Sequence, residues 1–149
     1  ETFCQSISKL FVRDLNRLID EIKAFKQEDN LWITPNQVNN SAGHLTMHLI
    51  GNLNHFIGNE IGNTGYVRNR DSEFNGEPKS VSELILEIEA TKVVVSGALE
   101  NVKDSLMFYP FPAAPDHNKL DYRSFLMHLI GHLNYHLGQI SYTRRIIEA

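Results

Sequence analysis

Met127-His-Leu-Ile-Gly-His-Leu-Asn-Tyr-His-Leu-Gly-Gln139 repeats, without gaps, an earlier stretch, Met47-His-Leu-Ile-Gly-Asn-Leu-Asn-His-Phe-Ile-Gly-Asn59. Eight of the 13 positions are identical, and Asn52 and Phe56 of the first copy are matched by His132 and His136 in the second. Leu45, Leu49, Leu129 and Leu133 separate the histidines at the three- and four-residue steps of a helix. Both stretches lie in windows, residues 30–59 and 124–143, that contain no Asp, Glu, Lys or Arg. These windows hold 50 of the 149 residues but six of the seven histidines. Two long helices without charged residues must turn inward, so the windows imply an all-helical fold built around them. The repeat reads as pseudo-symmetric packing, with Gly51 and Gly131 expected to permit close helix approach.

The flanking sequence supplies the other helices. Over residues 2–25, Phe3, Ile7, Leu10, Phe11, Leu18, Ile19, Ile22 and Phe25 recur with helical period between charged positions. Asn39, Asn40 and Ser41 offer caps for a second helix reaching about Ile61. Residues 62–79, punctuated by Gly62, Gly65, Gly76 and Pro78, read as a long connection. Ser80 and Glu83 have capping-box spacing and open a third helix over residues 80–103. Pro110, Pro112 and Pro115 fill the next loop, and the fourth helix covers residues 122–147. The short run Leu106–Tyr109 does not alter this class. Four helices, each about 30–40 Å long at 1.5 Å per residue, specify an all-α four-helix bundle in one domain, residues 1–149. The 18-residue connection can cross the bundle, which predicts an up-down-down-up order.

Composition removes other classes. The net charge is −4, from 18 acidic and 14 basic residues, which disfavours nucleic-acid binding. Polar residues interrupt both windows every few positions, so neither is a membrane span. The chain starts at Glu1, and no signal pattern is visible. A single cysteine, Cys4, cannot form an internal disulfide and points to a reducing, cytoplasmic setting. Cys4 lies at the start of the first helix, but a lone buried thiol is its expected role.

The histidines carry the functional expectation. At 100° per residue, His44, His48 and His55 fall within about 40° of one another on a helix wheel. His128, His132 and His136 climb the fourth helix in steps of four. Imidazoles four residues apart are about 6 Å apart along the axis and can share one metal ion. His44 to His55 spans about 16 Å, so only an adjacent subset can join one site. His132 and His136 form the best pair, with His48 the third ligand by depth. The alternatives are a buried hydrogen-bond network through Asn52, Asn54 and Asn134, or a solvent-facing stripe at a dimer interface.

These residues resemble the DinB-like superfamily of bacterial four-helix proteins, which includes bacillithiol-type S-transferases. Asn40-Ser-Ala-Gly-His-Leu-Thr-Met-His48-Leu49 is similar to its second-helix pattern, and His132-Leu-Asn-Tyr-His136-Leu-Gly-Gln139-Ile140 to its fourth. Arg70-Asp-Ser-Glu-Phe74 is similar to a loop found in one branch. The resemblance implies Zn²⁺ or Ni²⁺ on His48, His132 and His136 in a homodimeric bundle, with His44, His55 and His128 as core or supporting residues. The chain departs from the pattern at Asn39 and Asn40, where an aromatic residue is usual, and at Leu137, where arginine is frequent.

Three neutral ligands would leave the cation its full charge, suited to activating a small-molecule thiol or a water. No carboxylate base lies in either window, and Asp71, Glu73 and Asp121 are not placed by spacing. Thiol transfer is therefore preferred to metal-dependent hydrolysis, with a non-catalytic metal-binding or structural bundle as the third reading. Tyr109 and Phe111 are candidate lid residues, and Asp116 and His117 are expected in an exposed loop. Arg144 and Arg145 either meet a substrate carboxylate or neutralise the end of the last helix.

Overall fold

Each helix begins where a polar side chain can accept an otherwise unpaired backbone N–H. Thr2 caps α1 (Phe3–Ala24) and forms a capping box with Gln5, and Ser41 caps α2 (Ala42–Leu53). Asn69 caps a short α3 (Arg70–Asn75), and Ser80 with Glu83 makes the capping box of α4 (Val81–Glu100). Asp121 caps α5 (Tyr122–Ile147), accepting from Ser124 N at 2.7 Å. The computed structural model describes residues 1–113 and 119–149; Pro115, Asp116 and His117 lie outside the described residues. Among the described residues there are five α-helices and no strand, apart from an isolated bridge between Pro110 and Asp121. None of these helices is long and apolar enough to cross a membrane.

The four long helices close a ring, α1 and α2 each packing on both α4 and α5. Side-chain contacts give their directions. Asp14 meets Asn134 and Glu21 meets Arg144, so α1 and α5 run parallel. His48 meets His132 and Phe56 meets Phe125, so α2 and α5 run antiparallel. Asn54 touches Thr91, and Gly62 lies against Ala98, so α4 follows the direction of α2. Glu28 meets Val81 and Cys4 meets Met107, so α1 opposes α4. Phe11, Leu18, Leu49, Ile88 and Phe125 are among the fully buried residues at the centre. Each such side chain contributes about 1.5–3 kcal/mol through removal from water.

Four expectations need correction or refinement. The α-helix of the second segment stops at Leu53 and continues as a π-helix, Asn54–Asn59. There Asn54 Nδ2 donates to Ile50 O and to Thr91 Oγ1, while Gly62 N bonds Ile57 O in the five-residue register. His55 lies in this π-helical stretch, with its ring packed on Phe56. The long connection contains α3, too short for periodicity to reveal. Gly131 does not bring helices together, since a Cβ there would meet nothing within 4 Å, whereas one at Gly51 would collide with Glu73. The Leu106–Tyr109 run belongs mostly to a 3₁₀ turn, Asp104–Phe108.

The capping box of α4 gives a direct check on helix initiation. Ser80→Ala is expected to lower unfolding free energy by about 1 kcal/mol in a urea titration. A change near zero would show that Ser80 does not stabilise the helix start.

Candidate metal centre

Antiparallel packing of α2 on α5 brings His48 to the level of His132 and His136, which stand one turn apart on α5. His132 Nε2 lies 3.2 Å from His48 Nε2 and 3.1 Å from His136 Nε2. One nitrogen from each of the three falls within 4.8 Å of the others. His48 is 5% exposed, and the other two are half-buried.

Outer hydrogen bonds set which nitrogens face inward. His48 Nδ1–H donates to Glu73 Oε1 at 2.9 Å, which turns its Nε2 toward the other two rings. His136 Nδ1–H donates to Gln139 Oε1 at 2.7 Å, with the same consequence. His132 Nδ1 is buried without a partner. Burial, then the neighbouring His136, His48 and His128, push the pKa of His132 down to about 3. Burial also lowers that of His136, against the opposing Gln139 bond. The donor set is therefore nitrogen only and convergent. Imidazoles bound tetrahedrally at about 2.0–2.1 Å would hold their nitrogens about 3.3 Å apart, close to the two spacings from His132. The residues fit a divalent cation of borderline softness.

A carboxylate reaches the histidines from outside the charge-free windows: Glu73 of α3, one of the three acids that spacing left unplaced. Arg68 holds both of its oxygens, Nε to Oε2 at 2.8 Å and Nη2 to Oε1 at 2.9 Å. Burial raises the pKa of Glu73, but the bonds from His48 and Arg68 outweigh it and hold the carboxyl below its ordinary range. Gly51 makes the room, because any side chain there would occupy the space of the carboxylate. His44 fixes the far end of α3: its Nε2–H donates to Gly76 O at 2.9 Å, while Ser41 Oγ–H donates to its Nδ1 at 3.0 Å. Trp32 packs edge-on against that ring. Sequence contained one signal for Glu73, its place in Arg70-Asp-Ser-Glu-Phe74, but nothing in its spacing directed it to His48.

The other singled-out residues have structural partners. His128 is exposed and stacks between Phe125 and His132. Asn54 turns to α4 and Asn134 donates to Asp14 Oδ2, so neither builds a network with the histidines; Asn52 Oδ1 is buried without a partner. Asp71 is exposed on α3 and Asp121 serves as a helix cap. Cys4 is fully buried against Met107, and burial pushes its thiol pKa up, the opposite of an activated nucleophile. Phe111 stacks on Phe125 within the core and Tyr109 is exposed. Arg144 binds Glu21.

Two predictions follow from this geometry. Glu73→Gln is expected to weaken zinc affinity about 10–100-fold with helix content unchanged, as measured by competition with a chromophoric chelator. Unaltered affinity would remove Glu73 from the site. In metal-free protein, His132 takes up a proton near 6.5 when unfolded but only near 3 when folded. Its contribution to stability is thus full above pH 6.5 and lost as pH falls toward 3. Wild type is expected to lose more stability than His132→Gln between about pH 7 and about pH 5 in urea titrations. Equal losses would contradict the buried, neutral state of this ring.

No curated protein and no solved structure matches the chain significantly. A family model matches over residues 1–149, and the chain accordingly belongs to the family described as Protein of unknown function (DUF1572).

Proposed function

We propose that this protein holds one divalent cation, Zn²⁺ or Ni²⁺, on His48, His132 and His136, and uses it to activate a small thiol for transfer to an electrophile. The observation that carries this reading is the convergence of three imidazole nitrogens with no carboxylate among them. The packing directions of the long helices support a single-domain four-helix bundle of up-down-down-up order, the layout of the DinB-like superfamily that the histidine motifs resemble. That resemblance also brings a homodimer, and the single buried cysteine supports a reducing, cytoplasmic setting.

A divalent cation bound by neutral ligands keeps its full charge and lowers the pKa of a thiol or water that reaches it. The chain's part is orientation. Glu73, clamped by Arg68, holds the His48 ring in one tautomer, and Gln139 does the same for His136. In the transfer, the thiol gives its proton to solvent and its sulfur bonds the electrophilic carbon. The leaving group departs with the electron pair. Hydrolysis is the weaker reading, because a general base must be free to take a proton from water. Both oxygens of Glu73 are already committed, Asp71 is exposed on α3, and Asp121 caps α5.

Elemental analysis of tag-free protein tests the metal, and incubation of cellular thiols with monochlorobimane tests the transfer. One metal per chain is expected, with affinity reduced more than about 100-fold in His132→Ala, beyond the effect of an outer residue. The transfer rate is expected to exceed that of His48→Ala clearly. Absence of metal, with unchanged metal uptake in His132→Ala, would overturn the site. Equal rates in wild type and His48→Ala would overturn the transferase, and turnover of an ester or amide panel would favour hydrolysis.

A further inference from the structure

A pocket of about 390 Å³ opens beside His136, between the loop that precedes α2 and the last turns of α5. Gln37, Asn39, Asn40 and Gln139 contribute amide groups to its wall, and Leu45, Tyr142 and Ile146 contribute apolar surface. No Asp, Glu, Lys or Arg is among its described lining residues. Elsewhere the surface is different: a larger groove of about 710 Å³ along α1 and α4 is lined by Lys9, Glu89, Lys92 and Glu100. A small pocket of about 140 Å³ behind Glu73 carries Lys79 and Glu87. The charge-free windows therefore supply both the histidines and most of the cavity next to them.

Gln139 joins the two. It lines the pocket while its Oε1 accepts the Nδ1–H of His136, so a molecule touching that amide lies one residue from the histidine cluster. The two arginines of the last turn are directed to other partners, Arg144 to Glu21 and Arg145 to Ser141 Oγ. The N-terminal end of α2 and the C-terminal end of α5 border the pocket together, and their partial charges oppose each other. An anionic group entering here would lose its hydration without gaining a cationic side chain in return. An uncharged amide or hydroxyl group would find both donors and acceptors.

We propose that this pocket takes the body of the thiol substrate and that this body is uncharged, amide- or hydroxyl-bearing and partly apolar; the inference rests on the metal-and-thiol reading above. The sequence reading left open a substrate carboxylate held by Arg144 or Arg145. The pocket selects the other possibility, a neutral thiol.

The test uses two thiols of one skeleton, 2-mercaptoethyl amides of succinic acid, one ending in a primary amide and the other in a carboxylate. Their far ends differ in charge while their sulfur ends are identical, so direct metal affinity is matched. Calorimetric titration into zinc-loaded protein is expected to show the amide binding at least tenfold more tightly. Asn39→Lys, a change in an exposed loop, is expected to abolish or reverse that preference with zinc content and helicity unchanged. Equal or tighter binding of the carboxylate, an unchanged preference in Asn39→Lys, or no binding of either compound would overturn the proposal. The S-methyl forms, which cannot supply a thiolate, carry the same comparison without the metal. A neutral preference that persists in them while zinc fails to bind would sink the metal reading and leave the pocket standing.

Discussion

The hydrogen bond from His48 Nδ1–H to Glu73 Oε1 ties the connection between α2 and α4 to the histidine cluster. Much of the local architecture serves it. Gly51 leaves the space the carboxylate occupies, Arg68 pairs with both of its oxygens, and His44 anchors the chain at Gly76 just after α3. A segment of 18 residues with three glycines would otherwise have wide conformational freedom. Instead it places one buried carboxylate 2.9 Å from one ring nitrogen. The result is an imidazole held with Nδ1 on the carboxylate and Nε2 turned toward the other two rings.

Three nitrogens brought this close cannot all carry charge. In water an imidazole titrates near neutrality; among two others and half-buried, His132 remains neutral down to about pH 3. Leaving such groups without a partner is costly, and His132 Nδ1 already has none. A cation at the centre would turn this electrostatic burden into a favourable interaction. The carboxylate nearest the rings, Glu73, comes from outside the two windows, and both of its oxygens are paired with Arg68.

The sequence made the helices and the histidine subset legible because both rest on local periodicity. The limits of α5 follow from an unbroken apolar pattern, and α4 starts at its capping box. The triad was readable because depth along two antiparallel helices matches His48 to His132 and His136. What was not readable depends on long-range packing. The π-helix opens at Asn54, whose amide bonds Thr91 on α4, a contact between helices that local sequence does not carry. Glu73 sits on a six-residue helix whose position is decided by Gly51 and Arg68, neither of which has a periodic signature. Gly51 and Gly131, equivalent in the repeat, have different neighbours: one houses a carboxylate and the other faces open space.

The metal assignment is tested most directly by the X-ray absorption spectrum of the zinc-loaded protein. Three imidazole nitrogens at about 2.0–2.1 Å, with the remaining coordination from a light atom of solvent, is the expected result. Fewer than three imidazoles, or a shell made mainly of carboxylate oxygens, would contradict the three-histidine centre.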